Sequence, residues 1–242
     1  MVGRTPLRTP AGPAALGVLI LGGVLNAASF TGPQGDAWQR TFNVTAADLA
    51  TTGENQFFIL KPGHQLTLEG RESGKTVTLV VTVLDETRVV GGIEARVVEE
   101  RESENGALVE VSRNFVAIHR TTRDVYYLGE EVDIYRNGKI VDHEGAWLSG
   151  VNGARFGLMM PGTPLLGAKY LQEIAPKVAM DRAEIVSLTE TLQTPAGKFE
   201  RCLKTEESSA IEGGKEYKVY APGIGLILSD NLKLTKHGRA GQ

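Results

Sequence analysis

The feature that most constrains the fold is a series of glycine-containing turn dipeptides between runs of β-branched residues. Asn105-Gly106 lies between two runs with β-branched residues, and Asn137-Gly138 lies between two segments in which apolar and polar residues alternate. Both central residues of a tight type I′ turn have positive φ, which asparagine and glycine adopt readily. Alternation with a period of two places one face of a strand on a core and the other in water. These segments therefore predict β-hairpins.

Further strands are predicted on both sides of these hairpins. Residues 76–84 are almost entirely valine, threonine and leucine, and they predict a hairpin with residues 66–69. In the last third of the chain, turn residues recur at intervals of about 8–12 residues, which is typical of sandwiches and barrels. They separate five short predicted strands, at 184–191, 197–205, 216–221, 225–228 and 231–235.

Helical periodicity is scarce. Two short helices are expected, at residues 45–50 and 169–174, and Pro176 ends or kinks the second. The predicted fold is mainly β, an antiparallel curved sheet or barrel with one or two short helices.

The N-terminal segment predicts export. Arg4 and Arg8 precede an apolar run at 14–25, and small residues follow it, with Ala27 and Ser29 at the −3 and −1 positions of a cleavage site. This order describes a secretory signal peptide, and the run is short for a membrane span of about 20 residues. We expect a periplasmic or secreted protein. An uncleaved anchor stays open as its one membrane association.

The sequence predicts a single folded domain behind the N-terminal segment. The prediction is a signal peptide at 1–29, a linker at 30–41, one β domain at 42–237 and a tail at 238–242. A net charge of −3 gives no basic field for nucleic acid, so no nucleic-acid partner is expected. Cys202 is the single cysteine, which excludes an internal disulfide. Its expected role is a small buried filler rather than a reactive thiol.

One hairpin is rich in possible metal ligands. A two-residue turn at Asn137-Gly138 would place Asp133 directly opposite Asp142, and like charges in that position destabilise a sheet unless a cation bridges them. His143 and Glu144 add two more ligand types suited to zinc, manganese or calcium. The alternative is a solvated acidic edge, relieved by neighbouring arginine and lysine. The sequence does not identify a cofactor.

The segment at 147–166 mixes glycine, proline and large apolar residues without a clean period, which predicts a long ordered loop. Such a loop could line the mouth of a β barrel, where small ligands bind. The alternative is an apolar plug for one end of the core. The candidate ligand-binding residues are Tyr127, Trp147, Phe156, Met159 and Met160.

Several segments resemble, in order, motifs of a family of uncharacterised secreted bacterial proteins. They are 58–63 and 68–70 (FILKPG, LEG; "PLxPG…YEG"), 125–130 (VYYLGE; "VWYFGE"), 145–154 (GAWLSGVNGA; "GSWxxGVDGA") and 217–227 (YKVYAPGIGLI; "KYYAPGVGLV"). The resemblance implies an extracytoplasmic β domain and no particular activity. The family's acidic, aromatic-rich segment is replaced here by residues 114–119 (NFVAIH), so no site is carried over from it.

Three functions follow as hypotheses. The leading one is a non-enzymatic binding module for a small or lipid-like ligand. The second is a hydrolase that uses carboxylates of the hairpin at 130–144, although no nucleophile-elbow motif is present. The third is a structural scaffold without a small-molecule site.

Overall fold

Tight turns organise the chain into hairpins. The computed structural model describes residues 38–211 and 213–241. Asn105 and Gly106 have φ values of 48° and 82°, and Asn137 and Gly138 have 54° and 72°. Positive φ at both positions is the signature of the type I′ turn, so the two predicted hairpins are confirmed.

Strands make up most of the described chain, and the prediction of a mainly β fold is confirmed. They are β1 (Leu49–Ala50), β2 (Gly53–Asn55), β3 (Phe58–Leu60), β4 (His64–Glu72), β5 (Lys75–Val90), β6 (Ile93–Glu104), β7 (Ala107–His119), β8 (Val125–Arg136), β9 (Lys139–Asp142), β10 (Trp147–Leu148), β11 (Arg155–Met160), β12 (Lys169–Leu171), β13 (Glu173–Ile174), β14 (Asp181–Thr194), β15 (Gly197–Ser209), β16 (Glu216–Ala221), β17 (Gly225–Ser229) and β18 (Leu232–Arg239).

The main sheet is antiparallel and nearly closed. Its strand order is β12-β14-β15-β16-β17-β18-β4-β5-β6-β7-β8-β11-β13, with β1 on β7 and with β9 and β10 on β8. The two ends of this path are neighbours in sequence, because only Gln172 separates β12 from β13. Tyr170 pairs with Ala183 on one side, and Glu173 pairs with Phe156 on the other. A single extended segment therefore joins the two edges into a barrel-like sheet.

The helix expected at 169–174 is wrong. The segment is β12 and β13, and its backbone bonds run to distant strands; for example, the Gln172 N–H donates to the Asp181 carbonyl at 2.8 Å. Its local sequence permits a helix, but closing the sheet satisfies more backbone groups. The helix expected at 45–50 is reduced to one 3₁₀ turn, Ala46–Asp48, which Asp48 Oδ2 caps by accepting from Thr45 N at 2.8 Å.

Three other segments differ from expectation in extent. The loop expected at 147–166 contains β10 and β11, because β8 offers both of them a pairing edge. β18 pairs with β4 as far as Arg239, inside the expected tail. Gln39, in the expected linker, donates from its N–H to the Lys169 carbonyl at 2.9 Å. The predicted signal peptide, residues 1–29, lies outside the described residues.

Two apolar clusters fill the sheet. The larger contains Phe115, Tyr126, Met160 and Ile185 among many others. The smaller contains Leu68, Cys202, Ile227 and their neighbours. The two clusters do not fill the interior of the sheet completely. The cavity that remains is the candidate site.

Candidate functional site

The ladder registers place polar and apolar side chains in rows across the concave face of the sheet. Val81 pairs with Glu100, Glu100 with Ser112, and Ser112 with Val132. In the next row, Glu102 lies directly opposite Glu110. Because successive side chains of a strand point to opposite faces, these residues share the interior face with their neighbours two positions away.

This face borders a cavity of about 140 Å³. Most of its lining is apolar and comes from β3, β4, β5, β11 and β17. The apolar part includes Phe58, Leu66, Leu79, Val81, Met159 and Leu226. Its polar part consists of six side chains, those of His64, Glu100, Asn114, Lys218, Tyr220 and Ser229.

A buried ion pair stands at the polar wall. Lys218 Nζ lies 2.9 Å from Glu207 Oε2 and 3.7 Å from a Glu216 carboxylate oxygen. Glu207 Oε1 accepts from the Thr205 hydroxyl at 2.9 Å and lies 3.5 Å from the Tyr220 hydroxyl. Burial acts to lower the pKa of Lys218, but the nearby anionic groups, Glu207 foremost, outweigh it and raise that pKa well above its ordinary value. Lys218 is therefore charged and held in place.

Glu100 lies close enough to this pair for the charge of Lys218 to affect its pKa, but it is not part of the pair. Burial raises the pKa of the Glu100 carboxyl, the positive charge of Lys218 opposes that shift, and Glu110 adds to it. Within the described residues the carboxyl makes no hydrogen bond or ion pair. Its side chain is partly buried and lines the cavity.

The predicted ligand-binding residues are only partly brought together. Met159 lines the cavity, and the Tyr127 hydroxyl donates to Oδ1 of Asn114, a lining residue, at 2.7 Å. Phe156 instead packs edge-on against Tyr126, with ring centroids 5.8 Å apart.

The other two predicted residues lie elsewhere. Met160 is fully buried in the larger core cluster. Trp147 packs on Tyr127 and lines a second cavity of about 310 Å³ with Glu130 and the 151–154 turn. Within the described chain, the Trp147 indole N–H finds no hydrogen-bond partner. Burial, opposed by the Tyr127 hydroxyl, raises the pKa of Glu130 to about 7.

The residues predicted to bind a metal do not form a ligand set. The direct opposition of Asp133 and Asp142 is wrong, because a bulge shifts the register and pairs Ile134 with Asp142. Asp133 bonds Arg113 at 3.0 Å and lies 3.0 Å from His143 Nδ1. Asp142 accepts the backbone N–H groups of His143 and Glu144, at 2.7 and 3.1 Å.

No group of three or more histidine, cysteine, aspartate or glutamate side chains in residues 38–211 and 213–241 is arranged to hold a metal ion. Glu131 of the same hairpin forms an ion pair with Arg88. Cys202 is fully buried in the smaller core cluster, and burial raises the pKa of its thiol, which confirms its predicted role as a filler.

Sequence reasoning missed Glu100 and Lys218 of the polar wall, and Glu207 behind it. For Lys218 a signal was present, because it lies two residues before Tyr220 and same-parity positions of a strand share a face. For Glu100 parity does not decide, because Val97 and Val98 are both buried and Glu99 and Glu100 each lie two residues after one of them.

Comparisons with known proteins give little support for any assignment. No family model matches the chain, and no curated protein matches it. A crystal structure of a candidate lipoprotein from Parabacteroides distasonis is similar over 76% of this chain and 99% of that one, with 13% identity and a TM-score of 0.39. In the described part of the chain, no helix is both long and apolar enough to cross a membrane.

Proposed function

We propose that this protein is an exported, non-enzymatic binding module that holds a small ligand inside its barrel-like sheet. The observation that carries the proposal is the cavity of about 140 Å³, with an apolar lining and one polar wall. Ligand sites of proteins are typically concave and mostly apolar, with a few polar groups that fix orientation.

The size of the cavity sets the size of what it encloses. An apolar cavity of roughly 150 Å³ accommodates a molecule such as benzene. A chain of about six carbons, or a single ring, is therefore the part of the ligand that would be enclosed. A longer ligand would extend through the mouth.

Two sequence features support an extracytoplasmic location. One is the N-terminal order of arginines, apolar run and small residues. The other is the resemblance of four ordered segments to a family of secreted bacterial proteins. An uncleaved N-terminal segment would tether the module to the membrane and leave the cavity unaffected.

The other two hypotheses receive less support. A hydrolase of the 130–144 hairpin needs free carboxylates, but Glu131 and Asp133 are committed to arginines. A pure scaffold has no need of an interior cavity, since filling it would add stability.

The binding claim is tested with 1-hexanol as probe, titrated into the protein and followed by ligand-observed NMR. We expect saturable binding to the wild-type protein. Val81→Phe, which places a ring into the cavity, should abolish it. Val80→Phe, a matched substitution on the opposite face of β5, should leave it unchanged. Hexanol binding that is absent from the wild type, or equal in the two variants, contradicts the proposal.

The location is tested with an alkaline phosphatase reporter, which is active only after export. Residues 1–41 fused to the reporter should give activity. Replacing Arg4 and Arg8 with glutamate should reduce it strongly. A reporter that stays inactive behind the native segment contradicts export.

A further inference from the structure

We infer that the ligand of the barrel cavity carries a positively charged group, an alkyl- or arylammonium, which Glu100 recognises. The inference rests on the proposed function and adds the chemical class of the ligand. Its basis is the difference between Glu100 and the other polar groups of the cavity wall.

Five of the six polar lining side chains already have partners. His64 Nε2 lies 2.9 Å from the Ile224 carbonyl, Asn114 accepts from Tyr127, and Ser229 donates to Glu216 at 2.9 Å. Lys218 and Tyr220 both approach Glu207. Glu100 is the sixth, and within the described residues its carboxyl has no hydrogen bond or ion pair.

An enclosed carboxyl without a partner is costly. A buried polar group that loses its bonds to water without replacing them destabilises the fold, and a charged one does so more strongly. Glu100 is partly buried and lines the cavity. A ligand in the cavity is therefore placed to supply the missing partner.

The charges around Glu100 determine the sign of that partner. Glu102 and Glu110 lie opposite each other in the adjacent row, and the charge of Glu110 raises the pKa of both Glu100 and Glu102. Lys218 is the cation of the cavity lining, and it is committed to Glu207 and Glu216. An anionic headgroup would be repelled by Glu100, which lines the cavity, whereas a cation would reduce the repulsion among the three carboxyls.

The apolar walls determine the rest of the ligand. Val81, the ladder partner of Glu100, borders the cavity together with Leu66 and Leu79, and a bare inorganic cation would make no apolar contact with them. An ammonium supplies three N–H donors for carboxylate oxygens, and such charge-assisted bonds are the strong class of hydrogen bond. A cationic head on an apolar body therefore complements both walls.

The test compares three probes of equal chain length: n-hexylamine, 1-hexanol and hexanoate. Titrations at about pH 8 keep the amine protonated, since an alkylammonium has a pKa of about 10.4. We expect hexylammonium to bind at least tenfold more tightly than hexanol, and hexanoate to bind most weakly. Glu100→Gln should remove the preference for the amine while hexanol still binds.

Glu99→Gln is the matched control, with the same change of charge one residue away on the outer face of β6. It should leave the preference intact. The comparison among probes in the wild type needs no variant, so it stays decisive if Glu100→Gln fails to fold. Hexanol binding with no preference for the amine overturns this inference and leaves the proposed function standing. Failure of all three probes removes both.

Discussion

Nζ of Lys218 lies 2.9 Å from Oε2 of Glu207 within the barrel, where the Glu207 side chain is only 8% exposed. The pair joins β15 to β16, and its Lys218 lines the cavity. Removing one member of such a pair leaves a charge with no compensation in a poorly hydrated place.

Lys218→Met should therefore destabilise the protein. Breaking a fully buried pair costs about 3–5 kcal/mol, and partial exposure of Lys218 to the cavity reduces our expectation to about 2–4 kcal/mol. Urea unfolding at neutral pH measures the loss. Lys215→Met is the control, since its pair with Glu206 is exposed and such pairs contribute about 0–1 kcal/mol. Equal losses in the two variants would show that the interior pair has no special role.

Glu130 should make stability depend on pH. Burial raises its pKa from 4.5 to about 7, so the folded state binds this proton more tightly than the unfolded state. Stability from this group is present below about pH 4.5 and is lost as the pH rises through about 7. At 1.36 kcal/mol per unit, the loss is roughly 3 kcal/mol.

Glu130→Gln should therefore flatten the pH dependence between about 4.5 and 7 and stabilise the protein above that range. Thermal unfolding followed by circular dichroism from acid to neutral pH measures the change. Glu131→Gln, at the neighbouring half-exposed position, should leave the slope as in the wild type. A wild-type slope in Glu130→Gln would mean that Glu130 is not the group that titrates.

Gly157 tests how the sheet closes. A Cβ at this position would overlap the carbonyl oxygens of Leu171 and Gln172, the segment that joins the two edges. Gly157→Ala should cost about 3 kcal/mol or more, since the clash is with backbone that cannot move aside. Gly213→Ala meets no neighbouring atom and should change the free energy of unfolding by less than about 0.5 kcal/mol. Similar values for the two variants in urea unfolding would contradict this closure.

Cys202 should be unreactive in the folded protein. Its side chain is fully buried, and burial raises its pKa, so it presents neither access nor thiolate. Reaction with a colourimetric disulfide reagent should be at least about 100-fold slower in buffer than in urea. Fast stoichiometric labelling of the native protein would place the thiol at the surface.

Local chemistry could be predicted from sequence, but long-range pairing could not. Asn105-Gly106 and Asn137-Gly138 form the expected turns because the required φ values are a property of those two residues. Residues 169–174 form strands rather than the expected helix, because closure of the sheet pairs them with β14 and β11. No periodicity within six residues carries that information.

The site was predictable only in part for the same reason. Met159 could be selected because it is a large apolar residue in an irregular segment. Glu100 could not, because Glu99 and Glu100 are the same residue type and only the direction of curvature decides which one faces the interior. The expected opposition of Asp133 and Asp142 failed because a single bulged residue shifts the register.

Methyl-resolved NMR during a titration with 1-hexanol tests the central claim most directly. Spectra of the protein with labelled valine and leucine methyl groups report each side of β5 separately. The account predicts saturable shifts at Leu66, Leu79 and Val81, which line the cavity, and none at Val80. Unchanged lining methyls at saturating probe, or shifts confined to the outer face, would contradict a ligand site inside the barrel.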